Sequence, residues 1–381
     1  MKKIAILASI PFFIKAHLDQ HIFYLAKKNY EITIITKTDS IINRYKNKKN
    51  IQIMNVNFKR KISILNDILC LFKLFYIFII NRFDIIHSYT PKVGLLTSIS
   101  SLLSFNKNRI HTFTGQHWIN DKKYKKKLYM FFDWLIIKLN SNCYADSFSQ
   151  ITFLINEGIC KENDINVINN GSVGGVDFNI FNKELYNSNK TKHDLGISLN
   201  SKVIIFVGRV NKDKGIFNLI NSIINLNTKS HKYCLLIIGP LDIKNSEEKE
   251  NFYKIKKKYP NIIKYYDYSD NIPKYLSVSD LFCLPSTREG FGTSVIEAAA
   301  MKVPVLVSDI YGLNEIVNKN NGYLLDNIND TEIETKIEYI FQDNNKKKLF
   351  IENLYKDIKN KYNSIDILIK LENNYLNLLN K

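Results

Sequence analysis

Short apolar runs alternate with longer segments of helical spacing along most of the chain, and this alternation limits what the sequence can fold into. Ile4–Ser9 and Asp84–His87 are such runs in the first half, and Val203–Val207 and Leu281–Leu284 are such runs in the second. Apolar strands separated by helices are typical of a parallel sheet covered on both sides. The sequence therefore predicts an α/β protein with two doubly wound, Rossmann-like halves.

A polar stretch without periodicity interrupts this pattern once. We accordingly predict a first domain at residues 1–182, a linker at 183–200, a second domain at 201–360 and a C-terminal helix at 361–381 that packs back on the first domain. In doubly wound proteins, ligands bind beyond the carboxyl ends of the strands. We therefore expect a cleft across which the strand ends of the two domains face each other.

Two apolar segments of the chain resemble a leader peptide or a membrane span. The first apolar run is short and no small-residue cleavage site follows it, so a first strand is the better interpretation. The segment Ile68–Ile80 has 13 residues and contains Lys73, whereas a span needs about 20 apolar residues. It predicts a buried or interfacial helix.

The charge and the cysteines narrow the class of partner and the compartment. A formal net charge of +18 favours anionic partners such as nucleotide phosphates, nucleic acid or an acidic membrane surface. The five cysteines are scattered and form no CxxC pair, which disfavours a disulfide framework or a cysteine metal site and fits a reducing cytoplasm.

A glycine and two cations follow the first strand of the second half. Gly208 and Arg209 follow the strand Val203–Val207, and Lys214 lies five residues after Arg209. Arginine grips phosphate oxygens in a bidentate manner and lysine adds a point charge, so the turn suits an anion. Taken alone, the pattern also fits a solvated basic turn.

A glycine-bearing loop precedes a helix that we expect to begin near Thr293. Its backbone amides would form an anion site at the helix N-terminus, with close approach allowed by glycine. Glu289 and Glu297 are spaced to contact different parts of one extended ligand, and carboxylates suit vicinal diols. The other interpretation is that Glu289 is a surface charge and Glu297 an ordinary acid near a helix N-terminus.

Two further loops after strands complete the predicted site. The loop Tyr265–Pro273 carries Tyr268, which could contact a base, and the loop from Val307 to Glu315 faces the same cleft. Together the four features describe a site for a nucleotide diphosphate sugar. The residues predicted to bind the donor are Gly208, Tyr268, Gly290, Phe291, Gly292, Thr293, Ser294 and Glu297.

The motifs GRVNKDKG, REGFGTSVIEAAAMKVPVLVSD and NGYLL resemble the C-terminal domain of glycosyltransferase family 4, which has the GT-B fold. In the first half, DIIHSYTPKVGLL, RIHTFTGQHW, YADSFSQ and NNGSVGGVD resemble its capsule and O-antigen subgroup. The resemblance covers nearly the whole chain. It makes the first domain the acceptor side and the second the nucleotide-sugar side.

This resemblance implies a retaining glycosyltransferase with no cofactor and no metal, acting on a lipid-linked surface-glycan precursor. Arg209 and Lys214 would hold the donor diphosphate, Glu289 would contact the transferred sugar, and Glu297 would hold the ribose hydroxyls of a donor that we expect to be UDP-linked. The sequence contains no Asp-x-Asp pair for a metal clamp. Thr114 and Tyr89 stand where the family often has histidine, which leaves His87, His111 and His117 as the acceptor-side candidates. The alternative for each is a structural histidine at a strand end.

A lysine cluster before the segment 128–139 predicts a membrane contact. One apolar row should pack in the core, formed by Leu128, Phe131, Phe132, Leu135, Ile136 and Leu139. A second row, Met130, Trp134 and Ile137, should face anionic lipid together with Lys122, Lys123, Lys125, Lys126 and Lys127. The bland alternative is a solvated loop before a core helix. We expect a cytoplasmic protein, peripheral at the inner face of the bacterial plasma membrane.

Two other functions fit parts of the sequence. A GT-B nucleotide-sugar epimerase would use the same donor site but bind no separate acceptor. A basic, non-enzymatic nucleic-acid binder would explain the charge, but the lysines are dispersed and no RNA or DNA motif is present. We therefore expect no nucleic-acid partner.

Overall fold

The computed structural model describes residues 1–59, 62–230 and 232–380. The chain divides into two compact units. The first unit comprises Met1–Gly175 and Ser364–Lys381, and the second comprises Val176–Asn363. Both units are α/β.

The first unit is built on a parallel sheet whose described strands run in the order β3-β2-β1-β4-β5-β6-β7. The strands are β1 Lys3–Leu7, β2 Glu31–Thr36, β3 Ile51–Asn55, β4 Ile85–Tyr89, β5 Arg109–Phe113, β6 Asn142–Ala145 and β7 Asn166–Val167. The helices are α1 Pro11–Phe13, α2 Asp19–Lys27, α3 Ile64–Asn81, α4 Pro91–Leu103, α5 Lys123–Leu139 and α6 Phe148–Asn156, with a π-helical turn at Ile14–Leu18 before α2.

Side chains of β1 alternate between two cores, because successive residues of a strand point to opposite faces. Ile4 and Ile6 pack in a core with α2 and with Leu371 and Tyr375 of the final helix, Ser364–Leu379. Ala5 and Leu7 pack in the opposite core with α3 and α4. The final helix therefore completes the first unit, on the α2 side of its sheet.

The second unit has a parallel sheet whose described strands run in the order β10-β9-β8-β11-β12-β13. They are β8 Lys202–Val207, β9 Tyr233–Ile238, β10 Ile263–Tyr266, β11 Leu281–Leu284, β12 Val305–Ser308 and β13 Tyr323–Leu325. The helices are α7 Ser188–Asp194, α8 Ile216–Ser230, α9 Ser246–Lys258, α10 Ile272–Leu276, α11 Thr293–Ala300, α12 Asp330–Gln342 and α13 Asn344–Lys361; the final helix of the first unit is α14. A 3₁₀ turn at Lys212–Lys214 joins β8 to α8.

Residues 183–200 do not form the linker that the sequence suggested. They contain α7, and Leu195 and Ile197 are buried in the core of the second unit. The side chain of Asn187 accepts a hydrogen bond from the amide of Lys190 and so caps α7. A short, polar, side-chain-capped helix gives little periodicity, which is why this stretch looked irregular.

The predicted orientation of α5 is corrected in part, since Ile136 is buried and Trp134 is 40% exposed as expected. Leu128 and Phe131, expected in the core, are 46% and 52% exposed, while Ile137, expected outside, is buried. The reason is Asp133, a buried carboxylate that accepts the indole N–H of Trp118 at 2.7 Å. This bond turns the Asp133 side of the helix inward and leaves Tyr124, Leu128, Phe131 and Trp134 at the surface.

Candidate functional site

Three loops of the second unit meet beyond the carboxyl ends of β8, β11 and β12. Gly215, with φ of 66°, is packed so closely that a Cβ there would overlap the carbonyl of Pro285. Gly312, with φ of 82°, lies where a Cβ would come 2.5 Å from the carbonyl oxygen of Gly290. Because these φ values and contacts admit only glycine, the sequence itself brings the three loops together.

Arg209 presents a partly exposed cation at this edge. Its Nη1 donates to Oδ2 of Asp242 at 2.6 Å, and 38% of its side chain is exposed. Asp242 is held in turn, because its amide donates to the carbonyl of Val210 at 3.0 Å. Asp242 was not predicted from the sequence, since it belongs to no motif and reaches Arg209 only through the pairing of β8 with β9.

Lys214 and Glu289 contact each other, although the resemblance implies separate roles for them. The Nζ of Lys214 donates to Oε1 of Glu289, and the hydroxyl of Ser286 donates to the same oxygen at 2.9 Å. Burial lowers the pKa of Lys214, the charges of Arg209 and Arg288 act in the same direction, and Glu289 opposes them. Glu289 therefore offsets the charge of a desolvated lysine and fixes where its ammonium points.

Arg288 has a structural contact rather than an open guanidinium. Its Nε and Nη2 donate to Oδ2 of Asp213 at 3.0 and 2.7 Å, and the amide of Thr287 donates to the carbonyl of Asp213 at 2.8 Å. These bonds join the loop before α11 to the 3₁₀ turn that carries Lys214. They hold Glu289 and Lys214 at one place.

The amino-terminal end of α11 differs in two details from the prediction. Gly292 is the N-cap residue of the helix. The amide of Thr293, which was expected to be free, donates to the carbonyl of Phe291 at 3.0 Å. Phe291 is 8% exposed and its ring packs edge-on against Tyr362 at 5.1 Å. Its side chain anchors the loop in the core, so contact with a donor would come from the amides of Gly292 and Ser294.

Glu297 is the most perturbed carboxylate of this site. No described residue forms a hydrogen bond or an ion pair with its side chain, and burial raises its pKa to about 8. A partly buried carboxyl group without a donor destabilises the fold. Such a group is a candidate for ligand binding, and it is suited to hydroxyl groups.

Replacing Glu297 by glutamine is expected to weaken UDP binding and to stabilise the fold at alkaline pH. Where the carboxyl group is ionised, the loss of affinity should be about 10- to 100-fold, the value of a charge-assisted hydrogen bond. Because the folded-state pKa is raised, stability from this group is complete below about pH 4.5 and is lost as pH rises through about 8. The variant should therefore melt at a higher temperature than the wild type at about pH 9 and not at about pH 4.5.

The matched control is Glu352→Gln, which removes an exposed carboxylate from α13. It should change neither property. Calorimetry with UDP and melting at both pH values check the two effects independently. Unchanged UDP affinity in the Glu297 variant would remove Glu297 from the ribose role.

Tyr268 lies in the loop after the edge strand β10. Its hydroxyl contacts the carboxylate of Asp270, and 45% of the residue is exposed. This exposure leaves the ring accessible for stacking. Its contact with a base stays a prediction.

Two of the three acceptor-side histidines are internal groups of the first unit. His87 is fully buried, with Nδ1 at 2.6 Å from the hydroxyl of Tyr375 and Nε2 at 2.7 Å from Oγ1 of Thr112. His111 is also fully buried, with Nδ1 at 2.9 Å from the hydroxyl of Ser88. Desolvation lowers the pKa of both rings. Neither is open to an acceptor, which corrects the prediction.

His117 remains an acceptor-side candidate because its side chain is exposed. Its ring packs edge-on against Tyr129 with centroids 4.4 Å apart. The neighbouring Trp118 is fully buried and bonded to Asp133, and burial raises the pKa of that carboxyl group to about 7. The loop after β5 is thus anchored next to the one predicted histidine that it exposes.

Family models match most of the chain. Residues 187–357 match the model described as Glycosyl transferases group 1, and residues 3–152 match Glycosyl transferase 4-like. The two matches correspond closely to the two units of the structure.

Individual proteins are similar over nearly the full length. The capsular polysaccharide biosynthesis glycosyltransferase CapM of Staphylococcus aureus is 30% identical over 92% of this chain and 91% of its own. The UDP-Gal:alpha-D-GlcNAc-diphosphoundecaprenol alpha-1,3-galactosyltransferase of Escherichia coli is 24% identical over 93% of this chain and 91% of its own. The crystal structure of Anabaena HepE in complex with UDP and glucose shares the fold with a TM-score of 0.78, at 18% identity, over 98% of this chain and 99% of that one.

Proposed function

The chain belongs to the group 1, family 4-like glycosyltransferases of capsule and O-antigen biosynthesis, and from that premise we propose that it transfers a hexose or N-acetylhexosamine from a UDP-sugar to a lipid-linked glycan precursor with retention of configuration. The resemblance first seen in the motifs and the predicted GT-B fold are both confirmed. The donor, the acceptor and the stereochemistry are the proposal.

The proposal depends on one observation: two cationic and two acidic side chains lie together at one edge of the second unit. Arg209 is partly exposed and paired with an aspartate, Lys214 is buried against Glu289, and Glu297 has no partner among the described residues. The two cations can bind a diphosphate. The two carboxylates can accept hydrogen bonds from sugar and ribose hydroxyls.

The catalytic demand of this reaction is the negative charge that grows on the leaving diphosphate. Arg209 and Lys214 are placed to stabilise that charge, and the amides at the start of α11 add partial positive charge. Glu289 fixes the ammonium of Lys214 and would contact the transferred sugar. In the retaining reaction we propose, the leaving phosphate oxygen accepts the proton of the attacking hydroxyl.

The donor proposal has support from two related proteins. The Escherichia coli relative is named for UDP-Gal and a diphosphoundecaprenol acceptor, and the Anabaena structure contains UDP and glucose. A panel of UDP-, GDP- and dTDP-sugars tested for thermal stabilisation would identify the donor. Transfer to lipid-linked GlcNAc followed by NMR of the new anomeric centre tests the stereochemistry; an inverted product contradicts retention.

Activity is expected to survive excess EDTA. The charges that meet the diphosphate are those of Arg209 and Lys214, which a chelator does not remove. The measurement is the transfer rate before and after chelation, with magnesium and manganese added back. If chelation abolishes activity and either metal ion restores it, the assignment of Arg209 and Lys214 to the diphosphate is wrong.

We also propose that the protein is peripheral at the inner face of the plasma membrane. A lipid-linked acceptor lies in that membrane, and the net charge of +18 suits an anionic surface. At the start of α5, Lys122, Lys123, Lys125 and Lys127 are exposed beside Tyr124, which is 88% exposed. Lys126 has a different role, since its ammonium lies 2.8 Å from Glu157 and over the Trp118 ring.

A further inference from the structure

The outer side of α3 is an apolar surface that no described residue of the first unit covers. Its side chains are between 47% and 80% exposed, and they are Ile64, Leu65, Ile68, Leu69, Phe72, Tyr76, Ile79 and Ile80. At 1.5 Å per residue, the 18 residues of the helix extend this surface over about 27 Å. A helix at the surface of a soluble protein normally carries polar side chains on its outer side.

The polar residues of α3 lie elsewhere on the helix. At 100° per residue, Asn66, Asp67 and Asn81 project toward the packed side, and Lys73 projects at the border between the two sides. Leu74 and Phe78 fill the core beneath. The helix is therefore apolar on two sides, and the fold uses one of them.

α3 does not cross a bilayer in this fold, although its length and composition would allow a membrane span. It connects β3 to β4, and both strands belong to the same sheet. A span would place these strands on opposite sides of the membrane. The helix must instead lie on the surface that it contacts.

The charges around the outer face favour an anionic surface. The carboxylate of Asp67 is paired with Lys92 at 2.6 Å, and that of Asp84 is paired with Lys2 at 3.2 Å. Exposed cations border the face, namely Lys73, Arg82 and Lys107. Arg82 and Lys107 line one shallow depression with Ile79 and Phe105, and Phe105 is 91% exposed.

We propose that the outer face of α3, extended by Phe105, docks on an anionic lipid bilayer with the helix parallel to the membrane plane. Apolar side chains would enter the boundary between headgroups and acyl chains while the bordering cations meet lipid phosphates. A second copy is a poorer occupant, because it would bring two cationic borders together. The inference rests on the proposed function only for the lipid-borne acceptor.

The same side of the sheet carries α5, because α4 packs against both α3 and α5. The exposed lysines before α5 would add long-range electrostatic attraction to the anionic bilayer. The apolar side chains of α3 would insert into it. The two contributions respond differently to salt, since screening weakens attraction between charges and leaves apolar burial in place.

Vesicle flotation tests the proposal with a charged variant of α3. Leu69→Glu with Phe72→Glu places two carboxylates at the centre of the outer face, where both residues are exposed and the core is untouched. We expect the wild type to bind phosphatidylcholine–phosphatidylglycerol vesicles and the variant to bind at least about 10-fold less. The control Leu199→Glu with Leu349→Glu adds the same charges at residues 60% and 54% exposed in the second unit, and should bind as the wild type does.

A second comparison separates insertion from attraction. Changing Lys122, Lys123, Lys125 and Lys127 to glutamine should reduce the salt-sensitive part of binding and leave the salt-insensitive part unchanged. The fluorescence emission of an environment-sensitive probe attached to Leu69→Cys should shift to the blue when the protein binds vesicles. Selective labelling is feasible because all five native cysteines are buried. UDP binding, measured on every variant, should not change, which keeps this test independent of the donor proposal.

Three results would overturn the inference. They are a wild type that stays unbound, an α3 variant that binds as tightly as the wild type, and a Leu69 probe that does not shift on bound protein. Sedimentation equilibrium addresses the second-copy alternative. A wild-type dimer abolished by the α3 substitutions would assign the face to self-association instead.

Discussion

Replacing Arg209 by alanine is expected to lower kcat by two to three orders of magnitude while changing donor affinity much less. The guanidinium is partly exposed at the strand end and is steadied by Asp242 at 2.6 Å, so it is oriented before a ligand arrives. The charge that it meets is largest in the transition state. Removing a preorganised stabiliser of this kind costs about 3–4 kcal/mol.

Two further variants show whether the charge or its orientation matters. Asp242→Asn keeps the cation but weakens its support, and we expect a smaller loss of kcat. Arg209→Lys keeps a charge without the bidentate geometry, and we expect partial activity. Equal losses of affinity and turnover in Arg209→Ala would show that the residue binds the ground state only.

The second large effect is expected at Lys214 and Glu289. Lys214→Met leaves the carboxylate of Glu289, 11% exposed, without its cation. Removing one partner of a buried pair destabilises a fold by about 3–5 kcal/mol, so the variant should unfold at a lower denaturant concentration as well as lose transfer. Glu289→Gln keeps the shape and can still accept from Lys214 and Ser286; it should spare UDP binding and impair transfer.

The double variant separates the two effects. Lys214→Met with Glu289→Gln leaves no uncompensated charge, so its stability should exceed that of Lys214→Met alone. Its transfer activity should stay low, because the cation that faces the diphosphate is missing. A double variant no more stable than the single one would contradict the coupling of the two residues.

The sequence predicted most strands because apolar residues occupy both faces of each strand. Glycines occur in the loops that converge beyond the strand ends. Gly215 and Gly312 are examples in which residue type and packing agree. The sequence predicted that the loops of the second unit converge because each of them follows a strand of one parallel sheet. Their assignment to a nucleotide sugar depended on the spacing of Glu289 and Glu297.

Contacts made across long stretches of sequence could not be predicted in this way. His87 looked like a strand-end ligand, but Tyr375, 288 residues later, covers it and bonds to its ring. Asp242 reaches Arg209 only through strand pairing, and Asp133 turns α5 against the direction that its apolar rows indicated. In each case one polar side chain, placed by tertiary structure, overrides a local pattern.

The position of α14 has a consequence for how the molecule is made. The second unit is an insertion within the first, since Val176 and Asn363, at its two ends, pair as neighbours in a parallel bridge. During synthesis, residues 176–363 can therefore finish folding while the α2 side of the first sheet is still uncovered. Leu371 and Tyr375, both at most 1% exposed in the folded protein, are synthesised after the whole second unit and complete the core to which β1 and α2 contribute.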